Sequence, residues 1–143
     1  MKKILVLIFT ILTLSCESKF DKSIKSLKSN IWILDKEQEF TSGNPIKIFE
    51  GAEKKIHIFT DSNIYVYDSN GNIENIFSYE KSNDKGSLKI KVENLLSHNN
   101  VEFTVIVNDF MLVLIGGETG NLKKIDFNVL SNEALKNKIS QNN

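Results

Sequence analysis

Residues 64–73 read Ile-Tyr-Val-Tyr-Asp-Ser-Asn-Gly-Asn-Ile, and this stretch decides the fold. Ile64 and Val66 alternate with Tyr65 and Tyr67, a period of two that belongs to a strand and not to a helix. Asn70-Gly71 then precedes a second β-rich run. An Asn-Gly pair between two such runs signals a hairpin, because a type I′ turn needs positive φ at both central residues. The alternation recurs in Ser87-Leu-Lys-Ile-Lys-Val92, where Leu88, Ile90 and Val92 share a face and Lys89 and Lys91 take the other. In 101–107, Val101, Phe103, Val105 and Val107 oppose Glu102 and Thr104.

Outward from these segments, short apolar runs divided by Asn, Asp, Ser and Gly predict strands at 31–35, 46–50, 55–60, 64–68, 73–80, 87–92, 101–108, 110–116 and 122–128. Asp61-Ser62-Asn63 and Asn108-Asp109 read as tight turns. Parallel neighbours would need crossovers of about a dozen residues or more, and no helical segment of that kind intervenes. The expected domain, 31–128, is therefore all-β: an antiparallel up-and-down meander of about eight strands, forming a small barrel or sandwich. Residues 129–143 read as a short helix and tail, with Ser131 as N-cap and Leu135 and Ile139 one turn apart on one face.

Composition narrows the function. The chain has 143 residues, 41% hydrophobic and 25% charged, with 18 basic residues, all lysine, against 18 acidic ones. Such a balance excludes a disordered acidic tail, a polybasic nucleic-acid binder and a multi-span membrane protein. Its length suits one domain with a single core. Cys16 is the one cysteine, so neither a disulfide framework nor a thiolate metal cluster is available.

The chain begins MKKILVLIFTILTLSC. Lys2 and Lys3 precede an apolar stretch, Ile4 to Leu14, that as a helix is about 16 Å long, well short of the ~30 Å hydrocarbon core of a bilayer. Residues 1–15 therefore read as a signal peptide. Leu12-Thr13-Leu14-Ser15-Cys16 resembles the lipobox of bacterial lipoprotein precursors, with Thr13 and Leu14 departing from its commonest pattern. The resemblance implies that Cys16 takes a diacylglycerol, becomes the first mature residue and is acylated on its new amino terminus, palmitate being the expected acyl group. It places the protein in the bacterial cell envelope, membrane-anchored and facing the periplasm or the cell exterior. Removal of Lys2 and Lys3 leaves 16 lysines against 18 acidic residues, so the anchor is lipid and not charge. Residues 16–30 are expected as the lipidated N-terminus and a spacer. Phe20, Ile24 and Leu27 suit a short helix with one apolar face, and a solvated tether is the alternative.

Over roughly 31–127 the chain resembles the small lipocalin-like domains of bacterial lipoproteins, which place a tryptophan in the first strand and end in a short helix. Trp32 in Asn30-Ile-Trp-Ile-Leu34 takes that place, and Lys55-Ile-His-Ile-Phe-Thr-Asp61 resembles the strand before a tight turn. Asn30 stands where that family has glycine. The arginine that covers the tryptophan is absent from a chain without arginine, leaving Lys123 or Lys124 to approach it. Trp32 is accordingly assigned a structural role, plugging one end of a barrel.

Catalytic and metal chemistry find little support. His57 and His98 do not share a ligand spacing; His57 is expected to face solvent and His98 to lie in a turn. Asp68-Ser-Asn-Gly-Asn72 opens like a calcium loop but has Tyr79 where the closing glutamate belongs, so it reads as a turn. Gly116-Gly-Glu-Thr-Gly120 lacks the Lys-Ser/Thr of a phosphate loop and reads as a flexible hairpin tip. Asp35, Glu37 and Glu39 form an acidic cluster read as part of a solvated loop. No nucleophile, metal or cofactor is assigned, and no enzyme is expected.

Aromatic residues carry the remaining signal. The 64–79 hairpin is apolar or aromatic on both faces, and a closed barrel buries only its inside. Tyr65 and Tyr67 are therefore either covered by the C-terminal helix or the 37–45 loop, or they form an aromatic-lined mouth or exposed patch, which makes them candidate ligand or partner contacts. The expected function is a lipid-anchored, noncatalytic binding module of the envelope, taking a small apolar ligand or another envelope protein. The alternative is an envelope inhibitor or immunity protein acting through exposed loops such as 37–45. An apolar cavity of about 300 Å³ or more would favour the first.

Overall fold

A computed structural model describes residues 17–41, 44–50, 54–93, 100–118 and 121–141. Among them are helix α1 (Lys19–Ser29), strands β1 (Trp32–Thr41), β2 (Asn44–Glu50), β3 (Ile56–Phe59), β4 (Asn63–Tyr67), β5 (Ile73–Asp84), β6 (Ser87–Glu93), β7 (Asn100–Val107), β8 (Met111–Glu118) and β9 (Asn121–Val129), and helix α2 (Glu133–Gln141). All strand pairs are antiparallel, and β1 also pairs with β9, which closes the sheet into a barrel. Strands β2 and β3 follow one another along the same edge of β1, β2 against Lys36–Thr41 and β3 against Trp32 and Ile33. The wall thus has eight staves, the all-β meander that the alternation implies, in its barrel form. Closure leaves β2, which pairs with β1 alone, as an edge strand outside the closed ring.

Turn chemistry differs from expectation at the β4–β5 hairpin. Gly71 has positive φ but Asn70 does not, so no type I′ turn forms. Instead Gly71 N–H donates to the Asp68 carbonyl and Asp68 N–H to the Asn72 carbonyl, a turn followed by one left-handed glycine. The Asp68 carboxylate accepts from Asn70 N–H and Asn72 N–H, 2.8 Å each, which employs this group in the turn. The type I′ pair is Lys85-Gly86, both at positive φ, joining Asp84 to Ser87. Strand β5 accordingly runs to Asp84, past its expected end.

Two further expectations are corrected, and one alternative is decided. Within the expected 37–45 loop, Glu37–Thr41 are strand, pairing with β9 on one side and with β2 on the other, and β2 begins at Asn44; residues 42 and 43 lie outside the described residues. Of the expected 116–120 tip, Gly116 and Gly117 belong to β8, paired with Lys123 and Leu122, and the neighbouring strand comes so close that a Cβ at Gly116 would lie 1.9 Å from the Glu102 carbonyl oxygen; residues 119 and 120 lie outside the described residues. Of the two readings of the spacer, residues 19–29 take the helical one. Ser18 caps it by accepting from Asp21 N–H, and Phe20, Ile24 and Leu27 pack into the barrel core. Lys28 pairs with Asp61 in the β3–β4 turn, and Ser26 donates to Asp109 in the β7–β8 turn, so α1 stoppers this end of the barrel.

The core has two parts. Inside the barrel, Trp32, Phe59, Ile64, Val66, Tyr79, Leu88 and Ile90 meet Phe103, Val105, Leu112, Leu114 and Phe127, with Leu27 inserted from α1. Outside, Ile56, Tyr67, Leu130 and Ile139 form a second cluster with Ile33, Ile58, Tyr65 and Leu135, so that α2 covers the outer face of β3 and β4. That covering explains why this hairpin is apolar on both faces. Asn132, not Ser131, caps α2, accepting from Leu135 N–H at 3.1 Å.

Candidate functional site

One irregularity in β1 sets the interior. Trp32 and Leu34 point inward with Phe127, but the β1–β9 register shifts between Leu34 and Lys36, leaving exposed Asp35 unpaired. This bulge reverses the parity, so Glu37 and Glu39 turn inward where Trp32 and Leu34 had been the inward set. They meet Lys123, an inward residue of β9, at 3.2 and 3.0 Å. Burial works against the charge of Lys123, but the bonds from Glu39 and Glu37 outweigh it and hold its pKa above the ordinary lysine value. Lys124 faces outward and pairs with Asp126 at 3.2 Å.

Between this charged rim and the stoppered end lies a cavity of about 590 Å³. Its walls are apolar, including Phe59, Phe77, Val92, Val101, Phe103 and Leu114, and its mouth carries Glu37, Glu39, Glu93, Asn121 and Lys123. An eight-stranded barrel is just wide enough for side chains to fill it or to hold one small ligand. Here the bulky Trp32, Phe59 and Leu27 fill the closed end, while small residues such as Val92, Val101 and Gly117 line the space left toward the mouth. The volume lies within the range of small-molecule sites. A second concavity, of about 370 Å³, is lined by polar residues of the outer wall such as Ser62, Asn63, Glu80 and Lys91, and has no comparable apolar interior.

His57 is the polar residue of the cavity wall that sequence reasoning placed wrongly. It does oppose Ile56 and Ile58, but those two face α2, so the imidazole points into the barrel. Its ring meets Phe127 edge-on with centroids 4.9 Å apart, and its buried Nδ1 has no hydrogen-bond partner. Burial is the main cause of a pKa lowered to about 4; a backbone hydrogen bond with Lys55 opposes the shift and the Lys55 charge adds to it. The imidazole is therefore neutral at pH 7. Phe59, two residues on and on the same face, is the sequence signal for this orientation.

The other singled-out residues fall elsewhere. Trp32 is fully buried at the closed end, its Nε1–H donating to the Leu27 carbonyl at 2.9 Å, so α1 and not a lysine satisfies the indole. Tyr67 is fully buried and Tyr65 partly so in the cluster under α2, which removes Tyr67 as an exposed contact. Cys16 and His98 lie outside the described residues. Among the described residues no group of three or more His, Cys, Asp or Glu is placed to hold a metal, and no helix is long and apolar enough to cross a membrane.

The site belongs to a closed β-barrel with an apolar interior and an ionic mouth. The sequence matches no protein-family model, no curated protein and no solved structure.

Proposed function

We propose that this chain is a lipid-anchored, noncatalytic binding module of the bacterial cell envelope, taking one small apolar molecule into its barrel. The observation that carries the binding half is the cavity of about 590 Å³ between an aromatic floor and an ionic rim. Burial of apolar ligand surface against such walls supplies about 25 cal/mol per Å². The anchor half rests on the short apolar leader ending at Cys16 and on the resemblance to a lipobox. Packing of α1 as a stopper, beginning at Lys19, sets the barrel within a few residues of that cysteine along the chain.

The test uses the full chain held in nanodiscs, with octanol as probe and methyl resonances as readout. Octanol should shift the methyls of Val92, Val101 and Leu114 saturably, ahead of exterior methyls such as Ile73. Val101→Trp, which fills the cavity, should abolish the shifts while preserving the β circular dichroism. Interior methyls that do not respond at saturating octanol would sink the proposal.

A further inference from the structure

The barrel interior offers apolar contact and, in His57, a neutral ring; formal charge enters the site only at the mouth. Among the described residues two inward carboxylates, Glu37 and Glu39, stand there with one ammonium, Lys123. Lys123 is shared between them, at 3.2 and 3.0 Å. Glu93 is exposed at the edge of the mouth, on the outward face of β6 that also carries Lys89 and Lys91. A ligand head at the mouth therefore meets unbalanced negative charge, in a place where Glu37 and Glu39 keep only 29% of their side-chain exposure and water screens poorly.

We propose that the cavity is specific for a single-chain amphiphile whose head is a protonated amine, the chain lying along the apolar walls and the ammonium donating to Glu37 and Glu39. This rests on the cavity-binding reading above. An anionic head, such as a fatty-acid carboxylate, is disfavoured because Lys123, the rim cation among the described residues, is already shared between two glutamates. A neutral alcohol gains the apolar contact alone. A cationic head adds charge-assisted hydrogen bonds to carboxylates that its arrival relieves of mutual repulsion. The deep end of the chain meets His57 and Phe127, where the imidazole, its Nδ1 without a hydrogen-bond partner, carries no charge and no cation is needed.

The experiment compares octylammonium, octanol and octanoate by isothermal titration calorimetry at pH 7, using the full chain in nanodiscs with empty nanodiscs as blank. Octylammonium should bind on the order of ten-fold or more tighter than octanol, octanoate should bind more weakly than octanol, and the cation preference should shrink as salt rises. The double variant Glu37→Gln, Glu39→Gln should bring the octylammonium-to-octanol ratio close to one with octanol affinity retained. Lys123→Met, which frees both glutamates, should raise the ratio above that of the wild type. Octanol binding without a cation preference, or a preference unmoved by either variant, would overturn the head-group assignment alone. Failure of all three probes would overturn it together with the cavity reading.

Discussion

Trp32→Ala tests the closed end of the barrel. The indole is fully buried, sits within the inner core, and hydrogen-bonds through Nε1 to the Leu27 carbonyl of α1 at 2.9 Å. Truncation removes a large apolar side chain from packed surroundings, a change that costs about 3–5 kcal/mol. It also strands the Leu27 carbonyl, whose lost hydrogen bond is worth about 1 kcal/mol, although the two losses overlap and do not simply add. Against the ~5–15 kcal/mol that holds a domain folded, the expected loss of about 4 kcal/mol is a large share. For a chain of this size that is roughly 8–16 °C in the thermal midpoint. Because Trp32 is the one tryptophan, the variant is followed by far-ultraviolet circular dichroism in urea, and the wild type also by fluorescence. Trp32→Phe, which keeps an aromatic ring but cannot donate to Leu27, should fall between the two. Amides of α1 should exchange faster in both variants than in the wild type. Wild-type emission like that of indole in water with ready quenching by iodide, or a loss below about 1 kcal/mol in Trp32→Ala, would refute the stoppered end.

Three other outcomes are expected. Gly116→Ala should destabilise by more than ~2 kcal/mol in urea unfolding, because its Cβ would meet backbone across the β7–β8 ladder at 1.9 Å, whereas Gly86→Ala meets no neighbour within 4 Å and incurs only the smaller strain of positive φ. His57, with its pKa lowered to about 4, leaves the unfolded chain the stronger proton binder between pH 6.5 and 4, so stability is full above pH 6.5 and falls through that window by on the order of 3 kcal/mol. Urea midpoints across this range should show the slope in wild type and lose most of it in His57→Phe. Cys16→Ala should leave the precursor uncleaved at this position and abolish partitioning into the detergent phase; unchanged membrane retention would end the lipid-anchor proposal.

The architecture was legible because its signals are local. Alternation at 87–92 and 101–107, with two- and three-residue turn signals between strands, requires antiparallel neighbours whatever the distant contacts are. Element ends were less legible. The run 36–41 is charged and polar, which reads as loop, yet it forms strand because β9 pairs with it along its whole length. Glycines 116 and 117 read as a hairpin tip, although close approach of the neighbouring strand is what demands them. Period two states which residues share a face but not which face is inside. At β3 both faces are buried, the outer one by α2, so the pair of isoleucines around His57 pointed the wrong way.

The mouth of the cavity was not legible at all, and the reason is a single residue. An unbroken β1 would keep one parity from Trp32 to Phe40, sending Lys36, Gln38 and Phe40 inward and Glu37 and Glu39 out to solvent. The unpaired Asp35 reverses that parity halfway along the strand. Apolar residues therefore occupy the inward positions near α1, and carboxylates occupy them near the open end, within one continuous strand. Nothing in the residue types around Asp35 announces a bulge; it follows from matching β1 to β9, whose own inward positions run Lys123, Ile125, Phe127 without a break. The polarity gradient of the barrel interior, apolar at depth and acidic at the rim, is thus a property of the β1–β9 register and not of either segment alone.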